Sequence, residues 1–150
     1  MIDRVLVAVD DSRESLGAAR VAARLAAGWN ASVRVLTVVE DSLIGEAVAS
    51  VAGPGVEERM RRDAERVLAQ VGRDMAAAGV PAASVETMVR SGVPFRRILE
   101  EARSWPADLV VMAVSDRRGV QSAYVGSETE HVLEFAQCPV LVVPPPVAGS

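Results

Sequence analysis

The chain has 150 residues, half of them hydrophobic, and a net charge of −4. These values predict one compact domain and disfavour a nucleic-acid-binding surface, which needs a basic patch. All sixteen basic residues are arginine, and the chain has one cysteine and one histidine. The lack of lysine excludes lysine-dependent phosphate loops. A single cysteine and a single histidine exclude internal disulfides and the usual structural zinc sites. No apolar run has the length of a membrane-spanning helix, so we expect a cytoplasmic protein with no membrane contact.

Strand and helix patterns alternate along the first third of the chain. Residues 4–9 form a short valine-rich run, typical of a strand buried on both faces. Ser12 is a plausible N-cap and Gly28 a plausible end for the helix that follows. Residues 32–39 are a second predicted strand, and 40–55 have no firm period. The predicted inner face of the first helix is Ala18, Val21, Ala22 and Leu25.

The remaining elements continue the alternation. A long amphipathic helix begins at Val56 and ends before Gly79, strands are predicted at 84–89 and 108–113, and Pro94 opens the helix between them. A helix at 127–135 and a strand at 138–143 complete the series, which a run of three prolines ends. The predicted inner residues of the two middle helices are Val56, Met60, Ala64, Val67, Val71 and Met75, and Phe95, Ile98, Leu99 and Ala102.

This order predicts the fold class and the place of the site. Five strands joined by helical crossovers indicate a doubly wound parallel sheet in a three-layer α/β/α sandwich over residues 1–146, with a short tail at 147–150. Ligands of such sheets bind beyond the carboxyl ends of the strands. That rule gathers Asp10, residues 38–40 and residues 113–127 at one edge.

Several candidate site residues also have a purely structural interpretation. Gly126 and Ser127 suit a phosphate at a helix N-terminus, but Ser127-x-x-Glu130 is also a capping box. Asp10 and Asp11 form an acidic pair that suits a sugar hydroxyl or a metal, or one of them simply caps a helix or forms a turn. His131 is predicted to be a surface residue and Cys138 a core residue.

The chain resembles the universal stress protein family over nearly its whole length. The matching segments, in order, are IDRVLVAVDDS, VRVLTVVE, DLVVMA, GSETEHVL and CPVLVV. The resemblance implies a five-stranded α/β domain that commonly dimerises through its last strand. One branch of the family binds ATP and the other does not.

In the ATP-binding branch, the loop after the fourth strand reads Gly-x-x-Gly, nine residues, then Gly-Ser or Gly-Thr. Here Ala113 and Asp116 replace the first two glycines, while Gly126-Ser127 keeps the last element. Glu128 stands where the family usually has an apolar residue.

The remaining contacts carried over from the family follow residue by residue. Asp10 would contact the ribose or adenine, Val38 would hold the adenine through its backbone, and Met112 would flank the ring. Ser127 and Thr129 would reach the phosphates.

The two replaced glycines predict weakened ATP binding. A methyl group at Ala113 would cost about 1 kcal/mol if the loop needs a positive φ there. The Asp116 carboxylate, about 5 Å from a phosphate charge, would repel it by roughly 3 kcal/mol before screening by salt or Mg²⁺. Arg117 and Arg118, in the same loop, are the nearest positive charges.

We therefore expect a noncatalytic stress-response or regulatory homodimer that binds ATP, with Mg²⁺, or another adenine nucleotide weakly. Val140 and Val142 are predicted near the centre of the dimer contact. One alternative is a response-regulator receiver, which also needs an aspartate after its third strand and a lysine after its fifth. This chain has Arg90-Ser91-Gly92 and three prolines there. A small nucleotide-hydrolysing enzyme is the other alternative.

Overall fold

The computed structural model describes residues 1–40, 55–114 and 126–145. It contains an α/β sandwich whose five strands form one sheet. The strands are β1 (Arg4–Ala8), β2 (Ser32–Glu40), β3 (Val85–Gly92), β4 (Leu109–Ala113) and β5 (Val140–Val143). The helices are α1 (Arg13–Trp29), α2 (Val56–Ala77), α3 (Pro94–Ser104) and α4 (Ser127–Phe135), with a short 3₁₀ turn at Ala82–Ser84.

The sheet is wholly parallel and has the strand order β3-β2-β1-β4-β5. The predicted doubly wound topology is confirmed, because the strand order reverses direction between β1 and β4. Apolar side chains of the sheet point into two buried layers. One layer packs against α1 and α2, and the other packs against α3 and α4.

Helix α1 lies close to the sheet because it buries small side chains. Its buried face consists of one serine and five alanines, whereas Val21 and Leu25 are only half-buried, so the predicted inner face is rotated from the observed one. Ser12 is the N-cap, as predicted, and its hydroxyl accepts a hydrogen bond from the Ser15 N–H. The predicted stop at Gly28 is wrong. The helix continues to Trp29, and Asn30 takes the left-handed conformation with φ 54°, which asparagine tolerates.

Helix α2 covers the sheet only with its later turns. The buried residues are Ala64, Leu68, Val71 and Met75, at spacings of three and four. The predicted core position of Met60 is wrong, since its side chain is 37% exposed. The first turns of α2 lie beside the end of β2, where Met60 lines a shallow depression with Val39 and Glu40.

The layer containing α3 and α4 is less completely buried. Ile98 is buried, while Phe95, Leu99 and Ala102 are half-buried against the same core. Cys138 also packs there, half-buried, as predicted for a core cysteine. Burial raises the pKa of the Cys138 thiol, and the charge of Asp108 raises it further.

Candidate functional site

A cleft of about 120 Å³ opens at the carboxyl edge of the sheet, at the switch point between β1 and β4. Four of the predicted site residues line it: Asp10, Val38, Met112 and Ala113. Pockets that enclose drug-sized ligands measure roughly 300–1,000 Å³. The described cleft therefore suits a group the size of a nucleobase, with the rest of a nucleotide along its open side.

The turn after β1 is shaped by Asp10 and Ser15. The Asp10 carboxylate accepts a hydrogen bond from the Ser12 N–H at 2.8 Å, and the Ser15 hydroxyl accepts one from the Asp10 N–H at 2.7 Å. The turn interpretation of Asp10 is thus confirmed. Its contact with a sugar stays a prediction.

Strand β2 extends beyond the end of β1 and presents backbone groups to the cleft. The Leu36 carbonyl oxygen accepts a hydrogen bond from the Val9 N–H at 2.9 Å, so Leu36 points its backbone groups toward β1. These directions repeat every second residue along a strand. Val38 therefore also points its N–H and C=O to this side, where β1 has already ended at Ala8. An adenine edge, with one donor beside one acceptor, matches this pair of groups.

Ala113 is an ordinary strand residue and not a strained one. It ends β4, pairs with Val143 of β5 and is 6% exposed. Among the described residues other than glycine, only Asn30 has a positive φ. The condition for the predicted penalty at Ala113 is therefore not met in this structure, because its backbone does not use a glycine conformation, and the effect on ATP binding stays a prediction.

Helix α4 begins at the predicted place but is capped differently. Gly126 is the N-cap, and no side-chain cap hydrogen bond is made at this end. Ser127 is the first helical residue and is exposed. The predicted capping box of Ser127 and Glu130 is therefore wrong. Asp116, Arg117 and Arg118, in the segment that precedes this helix in the sequence, lie outside the described residues.

Thr129 is fully buried in the first turn of α4. Its hydroxyl donates a hydrogen bond to the Ala113 carbonyl oxygen at 3.1 Å. In this conformation the side chain fixes the helix to the end of β4. The predicted phosphate contact of Thr129 is incompatible with that burial unless the helix start moves.

Glu128 is a site residue whose main contact the sequence did not predict. Its side chain lines the cleft and accepts a hydrogen bond from the Phe95 N–H at 2.8 Å. Phe95 belongs to the first turn of α3, where helical N–H groups lack partners within the helix. Glu128 thus joins the starts of α3 and α4.

His131 is half-buried rather than the predicted surface residue. Its ring stacks on Phe95, with ring centroids 4.5 Å apart and an interplanar angle of 25°. This packing supports the same junction between α3 and α4.

No group of three or more histidine, cysteine or acidic side chains in 1–40, 55–114 and 126–145 is placed to hold a metal ion. None of the helices described is both long and apolar enough to span a bilayer.

Comparison with known proteins gives the family. The model of the universal stress protein family matches residues 1–144. The chain belongs to this family. It is similar to universal stress protein MJ0531 of Methanocaldococcus jannaschii, with 31% identity over 95% of this chain and 82% of the relative. A universal stress protein of Thermus aquaticus is 32% identical over 95% of this chain and 99% of the relative.

Solved structures of family members have the same fold. UspA of Lactobacillus plantarum matches with a TM-score of 0.80 and 25% identity, covering 95% of this chain and 97% of that one. A universal stress protein in complex with cAMP has a TM-score of 0.70 and 23% identity, over 95% and 96%. One from Archaeoglobus fulgidus in complex with dAMP has a TM-score of 0.70 and 18% identity, over 95% and 98%.

Proposed function

We propose that this universal stress protein is a noncatalytic regulatory protein that binds an adenine nucleotide in the cleft at the switch point. The observation that carries the proposal is the arrangement of Val38, Met112 and the start of α4 around one opening. Val38 offers a donor and an acceptor to the base. Met112 and Ile98 give the apolar walls that a planar ring needs.

The same arrangement gives the expected positions of the sugar and the phosphates of a bound nucleotide. The sugar would lie near Asp10, on the turn after β1. The phosphates would lie at Gly126 and Ser127, where helix N–H groups and the exposed Ser127 hydroxyl favour an anion. Two fold neighbours, in complex with cAMP and dAMP, support an adenine nucleotide as the ligand class.

Three of the four polar side chains that line the described cleft support binding rather than catalysis. The Ser15 hydroxyl and the Asp10 carboxylate shape the turn after β1. Glu128 holds the start of α3. These groups are engaged in the local fold, whereas a hydrolase would direct a base at an attacking water.

We also propose that the protein acts in the cytoplasm as a homodimer paired through β5. This strand lies at one end of the described sheet. Leu141 and Val143 pack against the layer that contains α1, and Val140 packs against the layer that contains α3 and α4. Val142 lies on the same face of β5 as Val140, because side chains alternate along a strand. On that side Leu133 and Phe135 of α4 are 46% and 54% exposed. A second copy of the chain would cover the apolar strip formed by Val140, Val142, Leu133 and Phe135.

Mass spectrometry of the ligand released from denatured, freshly purified protein tests the binding proposal. We expect an adenine nucleotide in near-stoichiometric amount, or saturable binding of one by the ligand-free protein. Incubation with ATP and Mg²⁺ tests the noncatalytic part, since ADP release above the uncatalysed rate would contradict it. Failure of every adenine ligand to bind would overturn the proposed function.

A further inference from the structure

Acidic side chains lie at the starts of α1, α3 and α4, three of the helices that begin at the carboxyl edge of the sheet. Asp10 accepts from the Ser12 N–H before α1, and Glu14 lies in the first turn of that helix. Glu128 accepts from the Phe95 N–H at the start of α3. Glu128 and Glu130 lie in the first turn of α4. Carboxylates of the chain itself thus already accept hydrogen bonds at the starts of α1 and α3, whereas no side chain caps the start of α4.

The wall of the cleft has the same charge. Asp10, Glu40 and Glu128 line it, and the described residues that line it include no arginine. The adjoining depression on the α2 side adds Asp11 and Asp63.

The nearest arginines of α3 are engaged elsewhere. Arg97 donates to the Ser91 carbonyl oxygen at 2.7 Å and to Glu100 at 2.9 Å. The guanidinium of Arg96 lies over the Phe95 ring, 5.8 Å from its centroid. The described side of the cleft is therefore acidic.

We infer that this cleft selects among adenine ligands by charge, and prefers adenosine and adenine monophosphates to metal-free triphosphates. The inference rests on the proposed function and names the ligand class within it. A triphosphate places several negative charges at the start of α4, next to Glu128. The helix end attracts them, and the carboxylates of Glu40 and Glu128 in the cleft wall repel them.

Glu128 is the residue that tests this most cleanly. A glutamine there keeps an oxygen that accepts the Phe95 N–H and removes only the charge. Glu134, on the exposed end of the same helix and away from the cleft, is the matched control. Glu40→Gln removes the charge of a second residue that lines the cleft, at the end of β2. It replaces Glu128→Gln in the experiment if that variant does not fold.

Calorimetric titration of the ligand-free full chain with adenosine, AMP, ADP and ATP, in EDTA at fixed ionic strength, measures the selectivity. We expect the Kd of ATP to exceed that of AMP by at least about tenfold, because salt screens the repulsion between phosphates and nearby carboxylates only in part. Glu128→Gln or Glu40→Gln should narrow this ratio at least about threefold, and Glu134→Gln should leave it unchanged.

The outcomes separate this inference from the proposed function. Binding of ATP at least as tight as that of AMP by the parent overturns the inference and leaves the proposed function standing. A ratio of the ATP Kd to the AMP Kd that neither Glu128→Gln nor Glu40→Gln changes also overturns the inference and leaves the proposed function standing. If no member of the series binds, the proposed function fails and the inference fails with it.

Discussion

The hydroxyl of Thr129 donates a hydrogen bond to the carbonyl oxygen of Ala113 at 3.1 Å, inside the protein. The two residues lie sixteen positions apart, at the first turn of α4 and the last residue of β4. The bond holds the helix start at the edge of the cleft.

Replacing Thr129 by valine should therefore destabilise the fold. The change keeps the side-chain volume and leaves a buried carbonyl without its donor, so we expect a loss of about 1–2 kcal/mol in the free energy of unfolding. Urea denaturation measures it. Ser127→Ala, which removes an exposed hydroxyl of the same turn, should change stability by less than about 0.5 kcal/mol. Equal effects of the two changes would contradict a structural role for Thr129.

Ala113 and Asp116 make separable predictions for ATP affinity. Because Ala113 has ordinary strand geometry, Ala113→Gly should leave the Kd of ATP nearly unchanged. Asp116→Gly should tighten binding at least about tenfold, or about 1.4 kcal/mol, by removing a repelling charge. Calorimetry of both single variants and the double variant checks this. A gain that requires Ala113→Gly would show that ligand binding demands a glycine conformation at the end of β4.

Asp108 predicts a pH dependence of stability. Its carboxylate accepts hydrogen bonds from the Asp3 and Arg4 N–H groups at 2.9 Å each, and these bonds lower its pKa below the ordinary value of 3.8. A lowered pKa in the folded state means that the ionised form adds stability above about pH 4, which is lost as the pH falls through the folded-state pKa. Asp108→Ala should therefore destabilise the protein most near neutral pH. The difference from the parent should shrink steadily below about pH 4, and a difference independent of pH would contradict this account.

The proposed dimer predicts opposite results at the two sheet edges. Val142→Lys, in β5, should shift the protein toward monomer in light scattering, because it places a charge in the apolar strip. Thr87→Lys, on the exposed face of β3 at the other edge, should leave the mass unchanged. A monomeric parent, or a Val142→Lys variant that stays dimeric, would rule out pairing through β5.

The order and type of the elements could be predicted because valine-rich runs and helical periods alternate clearly. The ends of helices that depend on single residues could not be predicted in the same way. Gly28 and Asn30 both suit a helix end, and only the folded chain shows that Asn30 adopts the left-handed conformation. Likewise, Ser127-x-x-Glu130 fits a capping box with Ser127 as the cap, but the cap is Gly126 and Ser127 is the first residue of α4.

The position of the candidate cleft could be predicted because it depends on strand ends, whereas the side-chain contacts at its wall depend on packing and could not be predicted. Topology alone brings Asp10, Val38 and Met112 to one edge. The contact of Glu128 with the Phe95 N–H joins residues 33 positions apart, and it depends on how two helices pack. The unusual acidic residue at Glu128 was the one sequence signal of that contact.

A titration of the ¹⁵N-labelled, ligand-free protein with AMP, followed by NMR, tests directly whether the cleft is the binding site. We expect saturable shifts centred on the backbone amides of Val38, Met112 and Gly126. Amides at the opposite end of the sheet, such as that of Arg4, should stay in place. Saturable shifts centred on another surface, or no shifts at millimolar AMP, would contradict the proposal that the cleft binds an adenine nucleotide.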